Sequence, residues 1–164
     1  MKKSILLTLV FVFAFSVSSY AQPRAIGVNV GYGMDVSYQH TLGQKNMLDL
    51  NLSIPAFAGI SVQGTYDWIN PFNTQIPWNN KGKWDWEMGV GAGAGFLWGY
   101  RGLLAGAAGH VGVSYDFWFP MQLSVDWRPL IGAYTYNYAE TAQKGAAFWV
   151  NGLAAVTIGV RYLF

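Results

Sequence analysis

Apolar and polar residues alternate with a period of two along most of this chain. From Ile26 the sequence reads IGVNVGYGMDVSY, in which Ile26, Val28, Val30, Tyr32, Met34, Val36 and Tyr38 alternate with Gly27, Asn29, Gly31, Gly33, Asp35 and Ser37. A helix would need apolar positions three and four apart, so this spacing predicts a strand. The pattern recurs in LDLNLSI (48–54), ISVQGTYDW (60–68), WDWEMGVGAGAGF (84–96), AGHVGVSYDF (108–117), MQLSVDW (121–127) and VTIGVRYLF (156–164). Residues 88–97 and 148–160 are nearly free of charge, which raises a helical membrane alternative. Gly89, Gly91, Gly93 and Gly95 argue against it: a spacing of two marks one face of a strand, whereas in a helix these glycines would lie all round. The expected fold class is all-β.

Alternation leaves open which face is outside. A solvated exterior carries abundant Lys and Glu. Here the polar face is Gly, Ser, Asn, Gln and Asp, and no lysine falls inside an expected strand. Charged residues make up 11% of the chain and aromatics 17%. Many aromatics sit at strand ends, among them Trp68, Trp84, Trp86, Phe117, Phe119, Phe148 and Trp149, where interfacial girdles form in transmembrane barrels. The expectation is an antiparallel up-and-down transmembrane β-barrel, apolar outside and narrow and polar within. A soluble sandwich or lipocalin-like cup is the rival.

Spanning strands need about 9–11 residues. Eight segments fit: 25–41, 47–55, 59–69, 84–97, 103–117, 120–128, 132–138 and 148–164. The break near Pro129 rests on its missing ladder donor and on the even strand number of bacterial barrels. The joint near Pro55 is less marked, because the even-numbered apolar positions run on from Leu48 to Trp68. Periplasmic turns are short and extracellular loops longer. The connection NPFNTQIPWNNKGK (70–83) is therefore expected outside, which returns Phe164 to the periplasmic side beside the first strand. On this arrangement Lys45, Lys81, Lys83 and Lys144 lie in outer loops, and Arg24, Arg101, Arg128 and Arg161 at the inner end.

The start of the chain reads as a secretory signal peptide: Lys2 and Lys3, an apolar run over 5–17, and a small-residue site at Ser19-Tyr20-Ala21. Cleavage after Ala21 leaves a single domain, 22–164. Thirteen apolar residues are too few for a spanning helix, which needs about 20. With Lys2 and Lys3 removed, basic and acidic residues balance, so nothing points to nucleic acid. The chain has no cysteine, so no disulfide or lipid-anchored cysteine is available.

The ending, with Tyr162 and Phe164 on one face, resembles the C-terminal signal read by the outer-membrane assembly machinery. Through SYQH (37–40), LSVDWRP (123–129) and VRYLF (160–164), the chain is similar to small Bacteroidetes outer-membrane β-barrel proteins of eight-stranded, OmpA/OmpX-like architecture. The resemblance implies an outer-membrane location in a Gram-negative bacterium. Its implied partners are outer-membrane lipid, lipopolysaccharide, the assembly machinery and a larger membrane complex. It implies little about activity.

Candidate chemistry lies on the inward face. Asp35, Asp49, Asp67, Asp85, Glu87 and Asp116 would form an acidic vestibule for a cation or cationic ligand, though no Asp-rich loop of EF-hand spacing occurs. Asp126, Arg128 and Arg161 are expected as lumen charge partners, and internal pairing is the simpler use of all these charges. His40 at the rim and His110 in the lumen are the catalytic candidates for a lipid-A-modifying acyl hydrolase or transferase. No triad spacing accompanies either. GVGAGAGF (89–96) lacks the register of a nucleotide loop. The sequence calls for no cofactor or metal. The expected role is structural, adhesive or partner-docking and non-catalytic, with a lipid-A enzyme and a narrow channel as alternatives.

Overall fold

Each alternating segment forms extended backbone in the computed structural model, which describes residues 23–72, 81–138 and 143–164. The signal segment 1–21 and the middle of the 70–83 connection lie outside the described residues. Ten strands follow in chain order: β1 (Pro23–Gly31), β2 (Gly33–Thr41), β3 (Asn46–Pro55), β4 (Gly59–Pro71), β5 (Lys83–Leu97), β6 (Gly102–Asp116), β7 (Met121–Trp127), β8 (Leu130–Tyr138), β9 (Gln143–Trp149) and β10 (Val156–Leu163). A 3-10 turn, Asn151–Ala154, precedes β10.

Eight of these strands close a ring. β1 to β7 pair each with the next, β7 pairs with β10, and β10 pairs with β1, antiparallel throughout. Closure leaves no free edge in the ring itself. β8 and β9 lie outside it. The first half of β6 pairs with β8 over Leu104–Ala108, beyond the stretch where its second half pairs with β7, and β9 adds to β8.

The barrel therefore has eight strands, but not the eight segments expected. The stretch 25–41 is two strands, because the chain reverses at Tyr32: Val30 pairs with Met34 and Asn29 with Asp35. The stretch 148–164 is also divided, by the 3-10 turn. The break at Pro129 is present, and the strand it creates leaves the ring. Lys83 and Lys144 lie within strands after all.

Splitting the first segment also overturns the expected polarity. The 42–45, 72–82 and 117–120 connections share one end with the start of β1 and with Phe164, whose N–H donates to the Arg24 carbonyl at 3.0 Å. The opposite end carries the Tyr32 turn and the turns at 56–58 and 98–101. Phe164 and the 70–83 connection therefore cannot face opposite compartments. Nor do the basic residues segregate: Arg24 stands at the terminal end with Lys45, Lys81 and Lys83, and Arg101 at the turn end.

The faces divide as the alternation requires. Val28, Val62, Val90 and Ile158 are more than half exposed on the outer surface, whereas Asn29, Asp49, Asp67 and Glu87 have no exposed surface inside. This inverts the arrangement of a water-soluble barrel, whose apolar residues fill the centre. A small apolar cluster of Leu97, Leu104, Ala108, Leu130 and Trp149, flanked by Tyr100 and Tyr134, sits at the turn end where β8 leaves the ring.

Candidate functional site: the charged interior

Inward positions of the barrel strands build one continuous polar network. Neighbouring glycines make room for it. A Cβ on Gly89 would lie 1.5 Å from Asp67 Oδ1, and one on Gly112 would lie 2.5 Å from Asp126 Oδ1. Side chains on facing strands are thereby able to cross the narrow lumen and meet.

Arg161 of β10 ties four strands together. Its Nε donates to Ser37 Oγ (3.2 Å), Nη1 to Gln122 Oε1 (2.9 Å) and Ser124 Oγ (2.7 Å), and Nη2 to Asn29 Oδ1 (3.2 Å) and Asp126 Oδ2 (2.7 Å). Arg128, from the β7–β8 break, turns inward and donates to Asp49 Oδ2 at 3.1 Å, with Asp126 Oδ2 at 3.6 Å. Asp49 also accepts from Gln39 (3.1 Å) and Asn51 (2.6 Å). Asp35 accepts a short hydrogen bond from Asn29. Such pairing is what makes buried charge tolerable, since an isolated ion in this environment would cost several kcal/mol or more.

His110 lies between two carboxylates. Its Nδ1 is 2.7 Å from Asp67 Oδ2 and its Nε2 is 3.0 Å from Asp126 Oδ1. A neutral imidazole donates from only one nitrogen, so this bracket needs a second proton or another cation. Toward the terminal end, Arg24 approaches Glu87 (3.3 Å), Asp85 (3.6 Å) and Asp116 (3.8 Å), and exposed Lys83 reaches Asp85 at 3.1 Å. The Asp85 contacts are ion pairs without hydrogen-bond alignment, because neither of its carboxylate oxygens has a hydrogen-bond partner among the described residues.

The charges do not balance. Seven carboxylates, those of Asp35, Asp49, Asp67, Asp85, Glu87, Asp116 and Asp126, face inward, against the guanidinium groups of Arg24, Arg128 and Arg161, the Lys83 ammonium at the rim and the His110 imidazole between two of the acids. Asp67 Oδ1 and Glu87 Oε2 are fully buried and unpartnered among the described residues.

All six vestibule acids thus point inward, and Asp126, Arg128 and Arg161 meet in one cluster. His40 stands apart, on the outer face near the rim, with its Nδ1 2.9 Å from the Tyr38 hydroxyl. Ser114, the nearest hydroxyl in sequence on the inward face of the same strand as His110, instead donates to Glu87 Oε1 at 3.3 Å. Tyr162 and Phe164 are exposed on the outer face and stack edge to face, 5.4 Å between centroids. Sequence reasoning missed the double clamp on His110 and the anchoring part played by Arg24. The inward parity of His110 was visible, but its partners are 43 and 16 residues away.

No protein-family model, curated protein or solved structure matches this chain.

The interior can hold strands in register, retain protons or a cation, and obstruct passage. Beside the apolar cluster, a cavity of about 40 Å³ is bounded by Tyr32, Asp35, Arg128, Trp149 and Thr157, room for a few waters. Toward the terminal end the side chains of Asp49, Asp67, Glu87 and Gln122 have no solvent-exposed surface.

Proposed function

We propose that this chain is an integral outer-membrane β-barrel that serves as a structural or partner-docking component of the envelope, not as a conduit or a catalyst. The observation that carries the reading is the inverted polarity: aliphatic side chains cover the outside of a closed ring whose interior is charged. Acyl chains are the solvent such a surface suits, and closure satisfies the ring's backbone groups without water. Among the described residues no helix is long and apolar enough to cross a membrane, so crossing falls to the strands. The surrounding lipid and lipopolysaccharide are the first partners on this reading.

Export by a cleaved N-terminal signal and recognition of the Tyr162/Phe164 ending by the assembly machinery belong to the same proposal. So does kinship with the small Bacteroidetes barrels. Both ends of the barrel chain lie at one rim, which we assign to the periplasm. The 128–155 excursion, the longest between successive ring strands, then leaves the ring at the outer rim, as a long extracellular connection would, while the other outer connections are short turns and the 72–82 connection falls on the periplasmic side. The filled interior speaks against free diffusion of solutes.

The test is fractionation and planar-bilayer recording. The protein should sediment with outer membranes, need detergent for solubility and show no steady conductance at 1 M KCl. A monomer freely soluble without amphiphile would refute the membrane reading. Reproducible unitary currents would refute the sealed interior.

A further inference from the structure

We propose that the barrel interior binds a divalent first-row transition-metal ion, zinc or a close neighbour, through His110 Nε2, Glu87 and Asp126. One ligand atom from each of these buried residues lies within 4.8 Å of the other two. An ion with bonds of about 2.0–2.2 Å draws such a set together with small side-chain movements.

Two further observations point to a ligand rather than to an acidic cluster alone. Glu87 Oε2 is fully buried and unpartnered, while Glu87 Oε1 is held by Ser114 and Arg24, each at 3.3 Å. Asp126 is arranged in the same way. Its Oδ2 accepts from Arg161 and Ser124, each at 2.7 Å, and its Oδ1 is left to His110 Nε2. Glu87 Oε2 is thus without a partner among the described residues, and Asp126 Oδ1 faces the very nitrogen that would share the ion with it.

Asp67 supplies the remaining element. Its Oδ2 lies 2.7 Å from His110 Nδ1, a carboxylate–histidine contact that fixes ring orientation and, with the proton on Nδ1, leaves the Nε2 lone pair for the ion. Gly112 keeps the space beside the pair open, since a Cβ there would come within 3.0 Å of His110 Nε2. A dication also offsets the interior's excess of carboxylates over guanidinium groups. One imidazole with two carboxylates suits zinc, iron or manganese better than calcium, which takes six to eight oxygens. The barrel is closed around the site, so the ion enters during folding.

The test refolds the full chain into detergent with a tenfold excess of zinc, removes free metal by gel filtration and measures retained zinc by elemental mass spectrometry. About one zinc per folded barrel is expected, and refolding with cobalt should give the visible absorption of a low-coordinate site. Glu87→Gln should retain under a tenth of the metal. Asp67→Asn keeps all three ligands and should weaken binding about 10–100-fold. His40→Ala should bind as the parent does. A folded parent barrel with zinc no higher than the buffer background would overturn the proposal, as would equal zinc in the parent and folded Glu87→Gln. The parent measurement stands even if a variant fails to fold.

Discussion

Arg161→Met tests whether the interior network holds the barrel shut. The substitution keeps an unbranched side chain of similar length but removes five hydrogen bonds that link β10 to β1, β2 and β7. Asp126 would keep Ser124 and His110 but lose its closest guanidinium, leaving Arg128 at 3.6 Å. Breaking a buried ion pair by deleting one partner costs about 3–5 kcal/mol. The surviving contacts of Asp126 place this case at the lower end, about 3 kcal/mol, or roughly a 150-fold shift in the unfolding equilibrium. With a slope of about 2 kcal/mol per molar urea, the unfolding midpoint should fall by about 1.5 M. Arg161→Lys, which keeps the charge but not the fork of donors, should lose about half as much. The assay is urea unfolding in detergent micelles, followed by tryptophan fluorescence and by the gel mobility of the folded form. A midpoint for Arg161→Met within about 0.2 M of the parent would refute the argument.

Two other outcomes are expected. Val90→Arg places a charge on the outer face of β5, where Val90 is 62% exposed, and should cost about 2–4 kcal/mol in liposomes if that face meets the bilayer core; a change within about 0.5 kcal/mol would argue that it meets water. The chain has no cysteine, so single cysteines report orientation cleanly. Gly99→Cys at the turn end should react with an impermeant maleimide on intact cells, and Lys81→Cys only after lysis. The reverse pattern would invert the proposed orientation.

The reason the first hairpin escapes sequence reading is geometric. Asn29 and Asp35 are paired neighbours on one face, and the turn between them preserves odd and even parity. Alternation therefore runs unbroken through Tyr32 and looks like one long strand. The same accident hides the boundary before β10, where Trp149 and Thr157 are both buried and both odd-numbered. Pro129, by contrast, marked a real interruption because a missing N–H is chemically visible in the sequence, whereas the turn after Pro55 again preserves parity, with Ser53 opposite Ser61. Polarity depended on how many strands precede the 70–83 connection, four where three were expected, so the missed hairpin carried the orientation error with it. For the interior, parity gave the inward acids, His110 and Arg161. It could not give their partners, because Arg128 and Asp49 are 79 residues apart and meet only through the stagger of the closed ring.

The pairing of β10 with β1 has a consequence for biosynthesis. Ala25 opposes Leu163 and Gly31 opposes Thr157, so the first strand made must wait for the last before its outer edge is covered. Such long-range pairing slows folding and prolongs exposure of sticky intermediates. Ribosomal products that stop short of β10 would keep the facing edges of β1 and β7 unpaired, and open edges of that kind invite aggregation, chaperones and proteases.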